Sequence, residues 1–176
     1  MKSLDLIASM KPTAEFIEAA AGVDVTVPLA DGKSLLMSTL SNTALESRYA
    51  STQWLLDQGC GLGAPDSEGS TELHILFGQV KHEIGADVSI AEQLIAIGAD
   101  VNAFAARGGL VFCDVLWMKY VDEDLEPIYD LWFSQPGVLD FETASKEGRS
   151  PLAIARSLPY RASILERMER YVAEHS

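Results

Sequence analysis

His74, Cys113 and Asp114 carry the side chains of a thiol nucleophile, its base and an orienting carboxylate, and the acid directly follows the cysteine. Against that chemistry, Cys113 stands between Phe112 and Val115, where a buried small hydrophobe is expected. Gly59-Cys60-Gly61-Leu62-Gly63 has the glycines of a phosphate loop. No Lys-Ser or Lys-Thr follows it, and Asp57, Asp66 and Glu68 flank it, so a phosphate is repelled. Cys60 is then a small turn residue. Asp122-Glu123-Asp124-x-Glu126 clusters oxygen ligands but lacks the glycine and regular spacing of a calcium loop. It reads as a solvated acidic loop, with a docking patch for a basic partner as the alternative. His82 and His175 complete the histidines, and none of the three sits at metal-ligand spacing with the two cysteines. No catalytic, cofactor-binding or metal-binding residue is expected.

The elements that position these side chains must fit one domain, because 176 residues do not make two full-sized domains with a linker. With 48% hydrophobic and 22% charged residues the chain can bury a core, which excludes disorder. A net charge of −13 opposes binding to nucleic acid or acidic lipid and favours a basic partner. Asp5 interrupts the first apolar run, and no stretch of about 18 apolar residues exists. A reduced cytoplasmic location and no membrane span are therefore expected, with two cysteines too few for a disulfide framework.

Self-similarity organises the chain. A helical stretch runs into a small loop four times, at Gly22-Val23-Asp24-Val25-Thr26, at Gly59 to Gly63, at Gly98-Ala99-Asp100-Val101-Asn102 and, with the glycine displaced to Gly137, at Val138 to Glu142. Ten residues after the first position of each loop stands a second glycine: Gly32, Gly69, Gly108 and Gly148. A glycine just past a helix supplies the left-handed backbone that ends it, and the second glycine is expected to take the positive φ of a tight turn. Ser34, Thr71 and Ser150 follow as helix N-caps, with Pro151 at the first helical position, so helices are expected to begin near Ser34, Thr71, Leu110 and Ser150. Each unit reads as turn, helix, loop, helix.

These motifs resemble the ankyrin-repeat family. Gly69-x-Thr71-x-Leu73-His74 fits the family's Gly-x-Thr-Pro-Leu-His opening, except that Glu72 replaces proline. Gly98-Ala99-Asp100-Val101-Asn102-Ala103 fits its closing loop, and Ser150-Pro151-Leu152-Ala153-Ile154-Ala155 its last unit. The resemblance covers about residues 13 to 170. It implies an all-α solenoid of four to five repeats: a capping repeat over 1–21, repeats over 22–58, 59–97 and 98–137, and a last repeat with its cap over 138–176. The family unit is about 33 residues, so the extra residues are assigned to lengthened inter-helix loops at Leu40 to Arg48, Gln79 to Asp87 and Lys119 to Leu125. It also implies binding through turn tips and late first-helix positions. Here these are Asp31, Lys33, Asn42, Glu68, Gln79, Arg107, Trp117 and Met118, with Tyr120 and the acids Asp122, Glu123 and Asp124 beside them; the alternative for Trp117 and Met118 is a rotated third-repeat helix that buries both.

Charge is unevenly spread: −2 over residues 1–56, −13 over 57–142 and +2 over 143–176. Clustered acid steers a basic ligand at long range. Arg156, Arg161, Arg167 and Arg170 have Glu166 and Glu169 among them, which screens any nucleic-acid footprint. The expected function is that of a monomeric, non-enzymatic protein-binding module, similar to single-domain bacterial ankyrin proteins that inhibit a basic toxin or enzyme. A scaffold or adaptor subunit is the alternative, and a cysteine-dependent enzyme a further one.

Overall fold

A computed structural model describes residues 3–175, so the expected outer boundaries Met1 and Ser176 lie outside the described residues. Among the described residues the chain is mostly helical, with one two-stranded hairpin. Short helices alternate with longer ones. The short set is α1 (Leu4–Met10), α3 (Leu35–Leu40), α5 (Glu72–Phe77), α7 (Val111–Trp117) and α9 (Pro151–Ser157). Each is followed by its longer partner: α2 (Thr13–Ala20), α4 (Leu45–Asp57), α6 (Ile84–Ala96), α8 (Asp122–Phe133) and α10 (Ala162–His175), the last preceded by a 3-10 turn at Pro159–Arg161. Each short helix packs on the next short one, and each long helix on the next long one, giving two layers with the core between them. An aromatic cluster holds its second half: Phe112 packs on Trp132 and Phe141 with ring centroids 5.6 and 5.4 Å apart, and Trp132 on Phe77 at 5.3 Å.

The caps explain where the short helices begin. Ser34, Thr71, Leu110 and Ser150 are the four N-cap residues, as expected. The Ser34 and Ser150 hydroxyls accept from the backbone N–H of Met37 and Ala153, and Thr71 forms a reciprocal capping box with His74. The four closing loops around Asp24, Leu62, Asp100 and Asp140 contain no strand. One turn departs from expectation: the positive φ of +84° belongs to Gly109, not Gly108. The strands β1 (Phe104–Ala105) and β2 (Gly109–Leu110) pair antiparallel, with Ala105 opposite Gly109, which moves the special conformation one residue on. A Cβ at Gly109 would also stand 3.0 Å from the Arg149 carbonyl and 3.3 Å from Cys113 Sγ.

Glu72 is buried at the start of α5. Its buried carboxylate accepts from the Ser34 hydroxyl at 2.7 Å and from Gly63 N–H at 2.9 Å, so it ties one cap to the preceding turn. The inter-helix loops are shorter than expected, spanning only 41–44, 78–83 and 118–121. The additional residues extend the long helices at their N-terminal ends, and they include Arg48, Asp87 and Asp122, all buried.

Candidate protein-binding face

Both ring nitrogens of His74 are committed to hydrogen bonds. Thr71 N–H donates to His74 Nδ1 at 3.2 Å, which makes Nδ1 an acceptor. The ring proton then lies on Nε2 and is donated to the Gly109 carbonyl at 3.1 Å, leaving no free lone pair to deprotonate a thiol. Burial lowers the His74 pKa and pushes the Cys113 thiol up to about 12, so both groups are held neutral. Cys60 is likewise buried, with its thiol pKa raised by burial. The Gly63 N–H that a phosphate would need is committed to the Glu72 carboxylate. Among the described residues no group of three or more His, Cys, Asp or Glu could hold a metal ion.

The expected contact residues divide by burial. At the turn tips, Asp31 and Lys33 pair at 2.8 Å, and Glu68 pairs with Arg107 from the next turn at 3.3 Å. Both pairs are largely exposed, so they remain available to a partner and add little stability. Gln79 is half-buried; its amide donates to the Ile75 carbonyl and its side-chain oxygen accepts from Arg48. Trp117 is 49% exposed on α7.

Three expected contacts, Asn42, Met118 and Asp122, are corrected to buried positions, while Tyr120 is half-buried. Asn42 is buried and donates to the carbonyls of Ala8 and Lys11, fastening α1 to the loop after α3. Met118 is buried in the core beside exposed Trp117, because the chain turns into an extended conformation at that residue. The Tyr120 hydroxyl is spent on the His82 carbonyl at 3.0 Å. Asp122 is no loop residue: it opens α8 and accepts from Tyr129 at 2.9 Å, from the guanidinium of fully buried Arg161 at 3.0 Å and from Ile164 N–H at 3.3 Å. Glu123 and Asp124 are exposed in the first turn of α8 and so are helical as well.

Two buried arginines, Arg48, not singled out by the sequence reading, and Arg161, read there only as part of a basic stripe, organise the far ends of the short helices. Arg161 donates to the carbonyls of Leu116, Met118 and Tyr120, satisfying the C-terminal end of α7. Arg48 does the same for the carbonyls of Asn42 and Lys81. Beside it, His82 bridges the Asp87 carboxylate at 2.8 Å and the Gln79 carbonyl at 2.7 Å, and Tyr49 donates to Asp87. These loops are built as rigid platforms. On the last two helices Arg156, Arg167 and Arg170 are paired with Glu169, with Asp130 and Glu126, and with Glu166, which uses up the basic stripe.

One residue of the face was read only as an orienter of Cys113. Asp114, partly buried on α7, receives no hydrogen bond or ion pair from the described residues. Burial alone pushes its carboxyl up to about 7.

No family model matches the chain, and no curated protein matches it. Among solved structures it is similar to the crystal structure of a functionally unknown protein from Leptotrichia buccalis C-1013-b, with 23% identity over 98% of this chain and 94% of that one, at a TM-score of 0.82. The likeness is one of fold. Among the described residues no helix is long and apolar enough to cross a membrane.

Proposed function

We propose that the chain is a divergent ankyrin-type solenoid that binds a basic protein and blocks it, without catalysing a reaction itself. The observation that carries the reading is Trp117, a tryptophan half exposed on a short helix, whereas Trp132 is buried and Trp54 is partly buried. Exposed tryptophans on rigid surfaces are typical binding anchors. The capped short helices at the expected positions and the stacking of like helices on like support the repeat reading. The acid excess between residues 57 and 142 supports a basic partner, and within it Glu123 and Asp124 are exposed close along the chain to Trp117. A toxin or enzyme covered at its active site fits a small domain whose own polar groups are committed to structure.

The test begins with capture of the partner from extracts of the source cell by the untagged protein. Both rate constants are then measured at two salt concentrations. Trp117→Ala is expected to speed dissociation and to cost on the order of 2 kcal/mol of binding, roughly a thirty-fold loss. Glu123→Lys with Asp124→Lys is expected to slow association and to flatten its salt dependence, because charge acts over about 8–10 Å at physiological salt. Asp122 is left intact, since it belongs to the core. Binding unaltered by Trp117→Ala would defeat the reading.

A further inference from the structure

We propose that Asp114 and Trp117 form a seat for an arginine side chain presented by the partner. The inference rests on the protein-binding reading and specifies the chemistry that the partner brings to this face.

The two residues stand three apart on α7, a spacing that places them on one side of a helix. Trp117 offers a half-exposed ring, and the Asp114 carboxylate is an acceptor without a donor among the described residues. Arg149, whose charge reaches neighbouring Cys113, makes no ion pair with Asp114. The wall beside the carboxylate is Gly78 at the end of α5, where an added Cβ would stand 3.9 Å from Asp114 Cγ. Gly78 is exposed and has no side chain to cover that approach.

The same pattern is already filled once in this molecule. On α8, Asp130 and Phe133 are also three residues apart, and Arg167 from α10 occupies them. Its guanidinium donates to Asp130 at 2.8 Å and lies 4.2 Å over the Phe133 ring, with Glu126 assisting at 3.4 Å. Asp114 and Trp117 repeat that acid and ring without the arginine. A planar guanidinium stacks on an aromatic face while its edge donates to a carboxylate, which the compact ammonium of lysine cannot do in both ways at once. Tryptophan is the best of the aromatic faces for this contact. An incoming guanidinium also pairs a half-buried carboxylate that has no donor among the described residues, whereas Glu123 and Asp124 are exposed.

The probe is N-acetyl-arginine amide, titrated at pH 8 into the isotope-labelled full chain and followed by amide and indole NMR signals, with N-acetyl-citrulline amide as the isosteric neutral control. Saturable shifts are expected at the Trp117 indole N–H and the Gly78 amide, with a Kd on the order of 10 mM, and no saturable shift with citrulline. Asp114→Asn is expected to weaken the response at least about ten-fold while the fold persists; Trp117→Phe should keep part of it, as Phe133 does for Arg167, and Trp117→Leu should lose it. Absence of a saturable shift at Trp117, or an equal response in Asp114→Asn, overturns the seat. The protein-binding reading is judged separately, by whether Trp117→Ala weakens the captured complex, so the two fail independently.

Discussion

Replacing Asp122 by alanine is expected to destabilise the protein by about 3–5 kcal/mol, the usual cost of stranding one member of a buried ion pair. Arg161 is fully buried and Asp122 is its only carboxylate partner among the described residues; the same carboxylate also accepts from Tyr129 and from the backbone of Ile164. Its loss therefore unpairs a charge, a phenol and a helix start together. Urea unfolding should show a lower midpoint with an unchanged slope. Glu123→Lys with Asp124→Lys, in the same turn but exposed, should cost about 1 kcal/mol or less, chiefly through the helix dipole. Equal losses in the two variants would show that Asp122 is not the buried anchor described here.

Asp114→Asn is expected to stabilise the protein at pH 8 by on the order of 2 kcal/mol and to leave it unchanged near pH 4. The Asp114 carboxyl is raised to about 7 by burial, above the value of an unfolded aspartate, so the folded state binds its proton more tightly. Stability linked to this group is intact below about pH 4 and is lost as pH rises through about 7. The asparagine side chain carries no charge to desolvate, so the variant should lack that fall. Thermal or urea unfolding of both proteins across the window measures the difference; parallel pH profiles would mean that the carboxylate is solvated or paired. A stabilising change at an exposed face is also what a site kept for binding predicts, because the wild-type residue bears a cost that only a ligand relieves.

The starts of the short helices were legible because local chemistry announces them: Ser34, Thr71 and Ser150 carry cap hydroxyls, and glycines precede them at fixed distance. The starts of the long helices were not. Their N-cap residues are Ala44, Glu83 and Val121, none of which makes a side-chain cap bond, so the loops read as longer than they are. Residue type also did not reveal facing. Asn42, Tyr120 and Asp122 look like surface residues, yet each satisfies a backbone or ion-pair partner that only the packed helices bring near. Trp117 and Met118 are adjacent in sequence and part company because α7 ends between them. Asp114 drew attention only through Cys113, yet the two differ in facing: Cys113 is fully buried, while Asp114 is partly exposed.

The central claim is that the partner covers the short-helix face at Trp117. Hydroxyl-radical footprinting of the captured complex tests it most directly, because the label reports side-chain exposure residue by residue. Trp117, half exposed in the free protein, should be labelled at least about ten-fold less in the complex, while Met10 on α1, 68% exposed in the free chain, keeps its rate. Unchanged labelling of Trp117 in a saturated complex would contradict the account.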